Sequence, residues 1–145
     1  MQINIVKLHD EAILPQYQTS GAAGADLHAC LETPVTLQSM ERRLIPTGLA
    51  MAIPQGYEVQ IRARSGMSIK HGLTMVNGIG TVDADYRGEV GVLVINLGQE
   101  AFTIEPGMRI AQMVVARYET AAWNEVSELD ETTRGVGGFG SSGAH

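Results

Sequence analysis

The chain has 145 residues, of which 44% are hydrophobic, and this length is enough for one compact domain and too short for two. Ten basic residues stand against sixteen acidic ones, and the formal charge of −6 argues against broad binding to a nucleic-acid backbone. The longest apolar runs have the length of strands, which excludes a membrane-spanning helix. Cys30 has no second cysteine to pair with, and no signal peptide is visible. We therefore expect a cytoplasmic protein, with a processed organellar form as the alternative.

Short strands separated by Pro and Gly dominate the chain. Tyr57, Val59 and Ile61 alternate with charged or polar residues, as in a half-buried antiparallel strand. Patterns of this kind predict strands at residues 3–8, 35–37, 43–53, 57–62, 73–76, 89–95, 101–104 and 110–118. Residues 65–71 predict one short helix with Ser65 as its N-cap. Many short strands with almost no helix predict an all-β fold, a jelly-roll-like double-sheet barrel.

Residues 77–89, NGIGTVDADYRGE, predict a β-hairpin that carries a carboxylate and an aromatic ring at its base. Gly78 and Gly80 permit close approach of a ligand to the backbone. Val82 and Tyr86 are strand formers on the two sides. Taken alone, this segment is also compatible with an ordinary hairpin whose acidic residues are solvated.

The composition changes after Val126, so we place an all-β domain at residues 1–126 and a flexible C-terminal arm at residues 127–145. The ten residues after Thr133 hold five glycines and too few apolar side chains to fix themselves in place. Composition alone would predict a disordered terminus. Phe139 lies five residues after Arg134, however, and this pair suggests a clasp in which the arginine binds a phosphate and the ring covers a base.

Four further segments accompany residues 77–89: AGADL at 23–27, RSG at 64–66, PGMRIAQ at 106–112 and RGVGGFGSSG at 134–143. In order and spacing, the five segments resemble the motifs of the homotrimeric all-β dUTPases, whose fold is a β-clip. These enzymes hydrolyse dUTP to dUMP and pyrophosphate, which limits uracil in DNA and supplies dUMP for thymidylate synthesis. The resemblance covers nearly the whole chain, from about residue 23 to residue 143.

Hydrolysis at the α-phosphorus needs a water, a group that orients and deprotonates it, and positive charge on the phosphate oxygens. The resemblance implies that Asp83 is the catalytic base, although Thr81 and Val82 replace the family's usual Leu and Ile. The resemblance places Asp85 at a variable position of the motif, so this side chain is expected to be solvated. Tyr86 is expected to pack against the deoxyribose and exclude a 2′-hydroxyl.

The resemblance also implies which residues contact each part of the nucleotide. The residues expected to bind the base and sugar are Asn77, Gly80, Val82, Tyr86 and Phe139. Those expected to bind the phosphates are Arg64, Ser65, Gly66, Gln112, Arg134, Gly138 and Ser141. Asp26 and Arg109 are expected to support the site, and whether Arg109 also touches substrate is left open.

Mg²⁺ is the expected cofactor, bound through the substrate phosphates and water with no direct protein ligand, since the histidines are scattered. The expected assembly is a homotrimer with active sites between subunits, and we expect no membrane or polymeric nucleic acid as a partner. Two alternatives remain at this stage. One is a dCTP deaminase of the same fold, for which we find no matching glutamate motif, and the other is a catalytically idle nucleotide-binding regulatory protein.

Overall fold

A computed structural model describes residues 1–141, and residues 142–145, which include the end of the predicted arm and Gly143 of its glycine-rich motif, lie outside it. Within the described part, strands alternate with short turns and one helix interrupts them. The strands are β1 (Asn4–Lys7), β2 (Ala25–His28), β3 (Val35–Leu37), β4 (Arg42–Pro46), β5 (Leu49–Ala52), β6 (Tyr57–Ala63), β7 (Leu73–Met75), β8 (Gly80–Val82), β9 (Gly91–Asn96), β10 (Phe102–Ile104) and β11 (Arg109–Arg117). The helix is α1 (Ser65–His71).

Hydrogen bonding divides the strands among four antiparallel sheets. The largest has the order β2-β11-β6-β8, and the next has the order β4-β9-β7. Two pairs, β1 with β5 and β3 with β10, complete the set. Strand β11 pairs with β6 along one edge and with β2 along the other, while β8 lies at the edge of its sheet. This architecture confirms the predicted all-β fold.

The core lies between the sheets and is built by alternation along the strands. Val59 and Ile61 of β6 are buried, as are Val92 and Val94 of β9. Each fully buried side chain of this kind contributes about 1.5–3 kcal/mol to stability. Alternation had predicted the inward face of β6, and the structure confirms it.

Residues 43–53, predicted as one strand, form two strands that are separated at Thr47 and Gly48. Gly48 has a φ of 67°, and a Cβ there would lie 2.8 Å from both the Cβ of Ala12 and the Sγ of Cys30. Only glycine fits this conformation in so little space. The chain therefore turns at Gly48 because of contacts with residues far away in the sequence.

The segment at residues 77–89 is not a hairpin, and this prediction was wrong. Strand β8 pairs with β6, whereas β7 and β9 pair with each other in a different sheet. Residues 76–79 and 83–90 therefore cross from one sheet to the other. Tyr86 lies in the second crossing, not on a closing strand.

Two local predictions also need correction. The N-cap of α1 is Arg64, with an extended backbone and no capping side chain, and Ser65 is the first helical residue. Strand β2 was not predicted, because Ala25, Asp26 and Leu27 are all buried and show no alternation. No helix among residues 1–141 has the length and apolar character needed to cross a bilayer.

Candidate functional site

A cavity of about 520 Å³ lies beside β8. It is lined by four of the five residues predicted to bind the nucleobase and sugar, and by Asp83, the predicted catalytic base. Its walls include Asn77, Gly80, Val82, Asp83 and Tyr86, together with Leu44 and Leu93 from the neighbouring sheet. The structure thus brings these residues together although residues 77–89 form no hairpin. Phe139, the fifth predicted member, does not line it.

The floor of the cavity is a strand edge. Strand β8 pairs with β6 on one side only, so alternate backbone N–H and C=O groups on its other side face away from the sheet. Gly80 is buried and packs over Ile61, which is its partner in the β6 register. A flat ligand edge can therefore approach the peptide groups of β8 closely.

The loop after β8 fixes the carboxylate and the ring. Asp83 follows Val82 directly and its side chain is exposed, and the backbone N–H of Tyr86 donates to the Asp83 carbonyl at 3.2 Å. The Tyr86 hydroxyl donates to the carbonyl of Glu89 at 3.0 Å. Glu89 is held in turn, because its Oε1 accepts a hydrogen bond from the Gly48 N–H at 2.7 Å. Both groups thus have defined places on one loop.

A second cluster gathers predicted phosphate-binding and supporting residues around Asp26, whose residue exposure is 7%. The Arg64 Nε lies 3.2 Å from one Asp26 oxygen, and an Arg109 Nη1 lies 3.2 Å from the other. Arg64 also donates to the backbone carbonyl of Arg109 at 3.1 Å. Two guanidinium groups around one carboxylate leave this cluster with a net positive charge, which suits an anion.

Gln112 and the start of α1 border the same cluster. Gln112 lies opposite Asp26 in the register of β11 and β2, and its Nε2 donates to the carbonyl of Ala63 at 3.3 Å. Ser65 and Gly66 follow Arg64 directly and are exposed. The structure therefore brings together the predicted phosphate-binding residues that precede the tail.

Sequence reasoning missed His28, which also lies beside this cluster. His28 is opposite Arg109 in the register, and its Nδ1 is buried without a hydrogen-bond partner among the described residues. Burial lowers the pKa of His28, the charge of Asp26 raises it, and the charges of Arg109 and Arg64 lower it further. The available signal was its position two residues after Asp26, on the same face of a strand.

The cavity and the Asp26 cluster lie at opposite edges of the large sheet, because β8 and β2 are its two outer strands. Gly80 of the cavity is opposite Ile61 in the register of β6, and Asp26 lies on β2 at the far edge of the sheet. Three strand spacings separate β8 from β2, which corresponds to roughly 14 Å. The Arg64 guanidinium also points toward β2 and β11, away from β8. Within one chain, the two groups of residues are therefore separate.

As far as residue 141, the tail contributes no lining residue to the cavity and no hydrogen bond to the Asp26 cluster. No helix or strand is present between residue 118 and residue 141. Phe139 is fully exposed with a φ of 49°, and Ser141 N–H donates to the carbonyl of Gly138 at 3.0 Å. Arg134 donates to the carbonyl of Gly137 at 2.8 Å. The tail residues thus bond locally, within their own segment.

Comparison with known proteins bears on the whole chain. A family model described as dUTPase matches residues 10–143. The deoxyuridine 5'-triphosphate nucleotidohydrolase of Rickettsia felis is 55% identical over 143 residues, with 98% of this chain and 97% of the relative covered. The protein of the same name from Rickettsia conorii is 54% identical with the same coverage.

Solved structures of dUTPases are also similar to this chain, at lower sequence identity. The dUTPase of Staphylococcus bacteriophage 80alpha, solved with dUPNHPP, superimposes with a TM-score of 0.89 and 28% identity, and 99% of each chain is covered. A mutant dUTPase from phage phi11 of S. aureus, described as showing the coordination of a structural Mg(II) ion, has a TM-score of 0.79 and 25% identity. That superposition covers 88% of this chain and 98% of the phage protein.

Proposed function

This chain belongs to the dUTPase family and hydrolyses dUTP to dUMP and pyrophosphate, and we propose that Asp83 directs the attacking water at the α-phosphorus. The observation that carries the proposal is the cavity beside β8, where Asp83, Tyr86 and the free strand edge meet. An exposed carboxylate can hold and deprotonate a water in the position where the phosphorus is attacked. Asp85 is exposed and serves no step in this mechanism.

The uracil ring would lie against the edge of β8. Uracil offers a donor at N3 and acceptors at O2 and O4, which the alternating peptide groups of Gly80 to Val82 and the Asn77 amide can satisfy. Tyr86 would pack its ring against the deoxyribose, where a 2′-hydroxyl would collide with it. Base and sugar are then selected by one strand edge and one ring.

The phosphates would lie on the Asp26 cluster and be closed over by the tail. We propose that Arg64, Ser65, Gly66 and Gln112 contact phosphate oxygens, with Arg134, Gly138 and Ser141 added from the arm at residues 127–145. Asp26 holds Arg64 and Arg109 in place through its two oxygens, a supporting role. Phe139 would cover the exposed face of the uracil.

These contacts require more than one chain, and we propose a homotrimer with three sites between subunits. Two observations support it. The cavity and the Asp26 cluster lie at opposite edges of one sheet, too far apart for a single α-phosphate. Leu44, which is 60% exposed, and Leu93, which is 38% exposed, lie opposite each other and line the cavity, so apolar side chains of the β4-β9-β7 sheet are left exposed there for a neighbouring subunit to cover.

We propose that Mg²⁺ supplies charge neutralisation on the triphosphate when it is bound, reaching the site on the phosphate oxygens and water. The carboxylates that line the cavity are compatible with such a role. Of its two carboxylates, Glu89 already accepts a hydrogen bond from Gly48, so Asp83 remains to orient water. The cytoplasmic location expected from the lone Cys30 remains a prediction.

The test is pyrophosphate release from dUTP with Mg²⁺ by the parent and by Asp83→Asn. The amide keeps the shape of the side chain but cannot accept a proton, so turnover should fall by roughly 10²–10⁴ while binding of a nonhydrolysable analogue persists. Asp85→Asn is the matched control and should resemble the parent. Turnover by Asp83→Asn within a few-fold of the parent would remove Asp83 from the role of base. A parallel assay of ammonia release from dCTP tests the deaminase alternative.

A further inference from the structure

The loop between β8 and β9, residues 83–90, carries both the carboxylate and the ring of the cavity. We infer that Arg87 is a positioning residue that holds this loop in its working shape. The inference rests on the function proposed above for Asp83 and Tyr86. It concerns a side chain that contacts neither the base nor the sugar in that proposal.

The contacts of Arg87 carry the inference. One guanidinium nitrogen, Nη1, donates to the carbonyl of Ala84 at 2.7 Å and to the carbonyl of Tyr86 at 2.8 Å. Both distances are those of normal N–H···O hydrogen bonds. Ala84 is the neighbour of Asp83 in the chain, and the second carbonyl belongs to Tyr86 itself. A single side chain thus joins the backbone on both sides of the turn.

The two halves of the loop are anchored differently. The downstream half is tied to the rest of the fold, because Glu89 bonds to the Gly48 N–H and the Val90 N–H donates to the carbonyl of Leu49 at 2.8 Å. The upstream half, next to Asp83, has a backbone hydrogen bond from Tyr86 at 3.2 Å and then the bonds from Arg87. Loss of Arg87 therefore loosens the loop where Asp83 lies.

Arg87 lies outside the cavity that is proposed to bind the base and sugar. Asp83 and Tyr86 line the cavity of about 520 Å³, whereas Arg87 lines a second hollow of about 610 Å³ together with Gln55 and Tyr118. Asp83 borders both hollows, so the loop forms the wall between them. Arg87 acts on that wall from the side away from the base and sugar.

The test is Arg87→Met, assayed with dUTP and UTP under saturating Mg²⁺. Because small displacements of a catalytic group are costly, we expect kcat for dUTP to fall about tenfold with little change in KM. The preference for dUTP over UTP should also fall, by about threefold or more, since Tyr86 shifts with the loop. Arg87→Lys keeps a cationic nitrogen with several hydrogens at a similar reach, and it should recover most of both properties.

Arg43→Met is the matched control, because it removes the same charge from an exposed arginine that bonds to Glu41 on another part of the surface. If Arg87 instead attracts substrate by its charge, Arg87→Met should raise KM and leave the dUTP-to-UTP preference unchanged. The difference in KM between Arg87→Met and the parent should then become smaller at high salt. That pattern, or parental kcat and preference in Arg87→Met, would overturn the inference. If Arg87→Met fails to fold, Arg87→Gln, which is too short to reach both carbonyls, takes its place with the same expectations.

Asp83→Asn, assayed beside these variants, separates the inference from the proposed function. If Asp83→Asn is inactive and Arg87→Met is like the parent, only the positioning role fails. If Asp83→Asn retains turnover, Asp83 is not the base and the role of Arg87 falls with it.

Discussion

The cavity beside β8 and the C-terminal tail are both proposed to bind the same nucleotide, yet the fold prepares them in opposite ways. In the cavity, Gly80 is buried and the Tyr86 hydroxyl is bonded to the Glu89 carbonyl. In the tail, Phe139 is fully exposed and Arg134 donates to the carbonyl of Gly137 within its own turn. A prepared cavity binds without first being ordered, whereas the tail must lose conformational entropy each time it closes. The cavity should therefore select the nucleotide, and the tail should respond to one already bound.

The strongest challenge to this comparison is a chain that ends at Thr133. It lacks Arg134 and Phe139, so charge on the phosphates and cover on the base are lost together, and turnover of dUTP should fall by about 10²-fold or more. The melting temperature should stay close to that of the parent, because the side chains of Arg134, Val136, Phe139 and Ser141 are exposed. A large drop in melting temperature would show instead that the tail packs on the folded domain.

A mixture of two defective chains tests whether cavity and tail come from different subunits. Asp83→Asn and the chain ending at Thr133 are unfolded together and refolded. In random mixed trimers, a site works when its cavity comes from the truncated chain and its tail from the Asp83→Asn chain, so about a quarter of parental activity should return. Mixed trimers that are seen by native mass analysis but stay inactive would mean that each tail serves its own chain.

A smaller effect is expected from Phe139→Ala, which removes the ring and keeps the rest of the tail. Stacking of a base on an aromatic side chain contributes about 1–3 kcal/mol, so kcat/KM for dUTP should fall roughly 5- to 150-fold. Phe139→Trp provides the matched control, because it keeps an aromatic face and reports closure by fluorescence, with Trp123 as background. A parental kcat/KM in Phe139→Ala would assign the ring no role in closure.

How far the sequence predicts this molecule differs between the same two regions. Alternation located β6 and β-type composition located β11, each within one residue at both ends, because both signals are local in the sequence. The crossing at residues 83–90 was read as a closing strand, because glycines and β-formers cannot reveal that β8 pairs with β6 and β9 with β7. Gly48 breaks a predicted strand through contacts with Ala12 and Cys30. Such partners lie far away in the chain and leave no local pattern.

Within the candidate site, the motifs predicted which residues belong to the site better than they predicted the contacts between those residues. Asp83 and Tyr86 were predicted to act on one nucleotide from a single segment, and both line the cavity beside β8. Arg87 belongs to the same segment, but its two carbonyl contacts depend on the turn that the backbone adopts. His28 was missed, because its position beside Arg109 follows from the pairing of β2 with β11.

A narrower effect, on the choice of sugar alone, is expected inside the prepared cavity, where Tyr86→Ala should raise the activity on UTP relative to dUTP by about tenfold. Removing the ring opens room for a 2′-hydroxyl, and the measurement is the ratio of kcat/KM for the two substrates. Gly88→Ala is the matched control for the placement of the ring. A Cβ at residue 88 would lie 2.4 Å from the Tyr86 hydroxyl oxygen and 2.6 Å from Cζ, so the ring must shift while remaining present.

If the position of the Tyr86 ring matters as well as its bulk, Gly88→Ala should also raise the kcat/KM for UTP relative to that for dUTP, by a smaller factor than Tyr86→Ala. An unchanged ratio in Tyr86→Ala would instead place the sugar selection on the edge of β8, whose peptide groups no side-chain substitution removes. In either case the truncated chain should discriminate between UTP and dUTP as the parent does, because the tail closes only after the cavity has selected. Loss of discrimination in that chain would contradict the division of labour between the two regions.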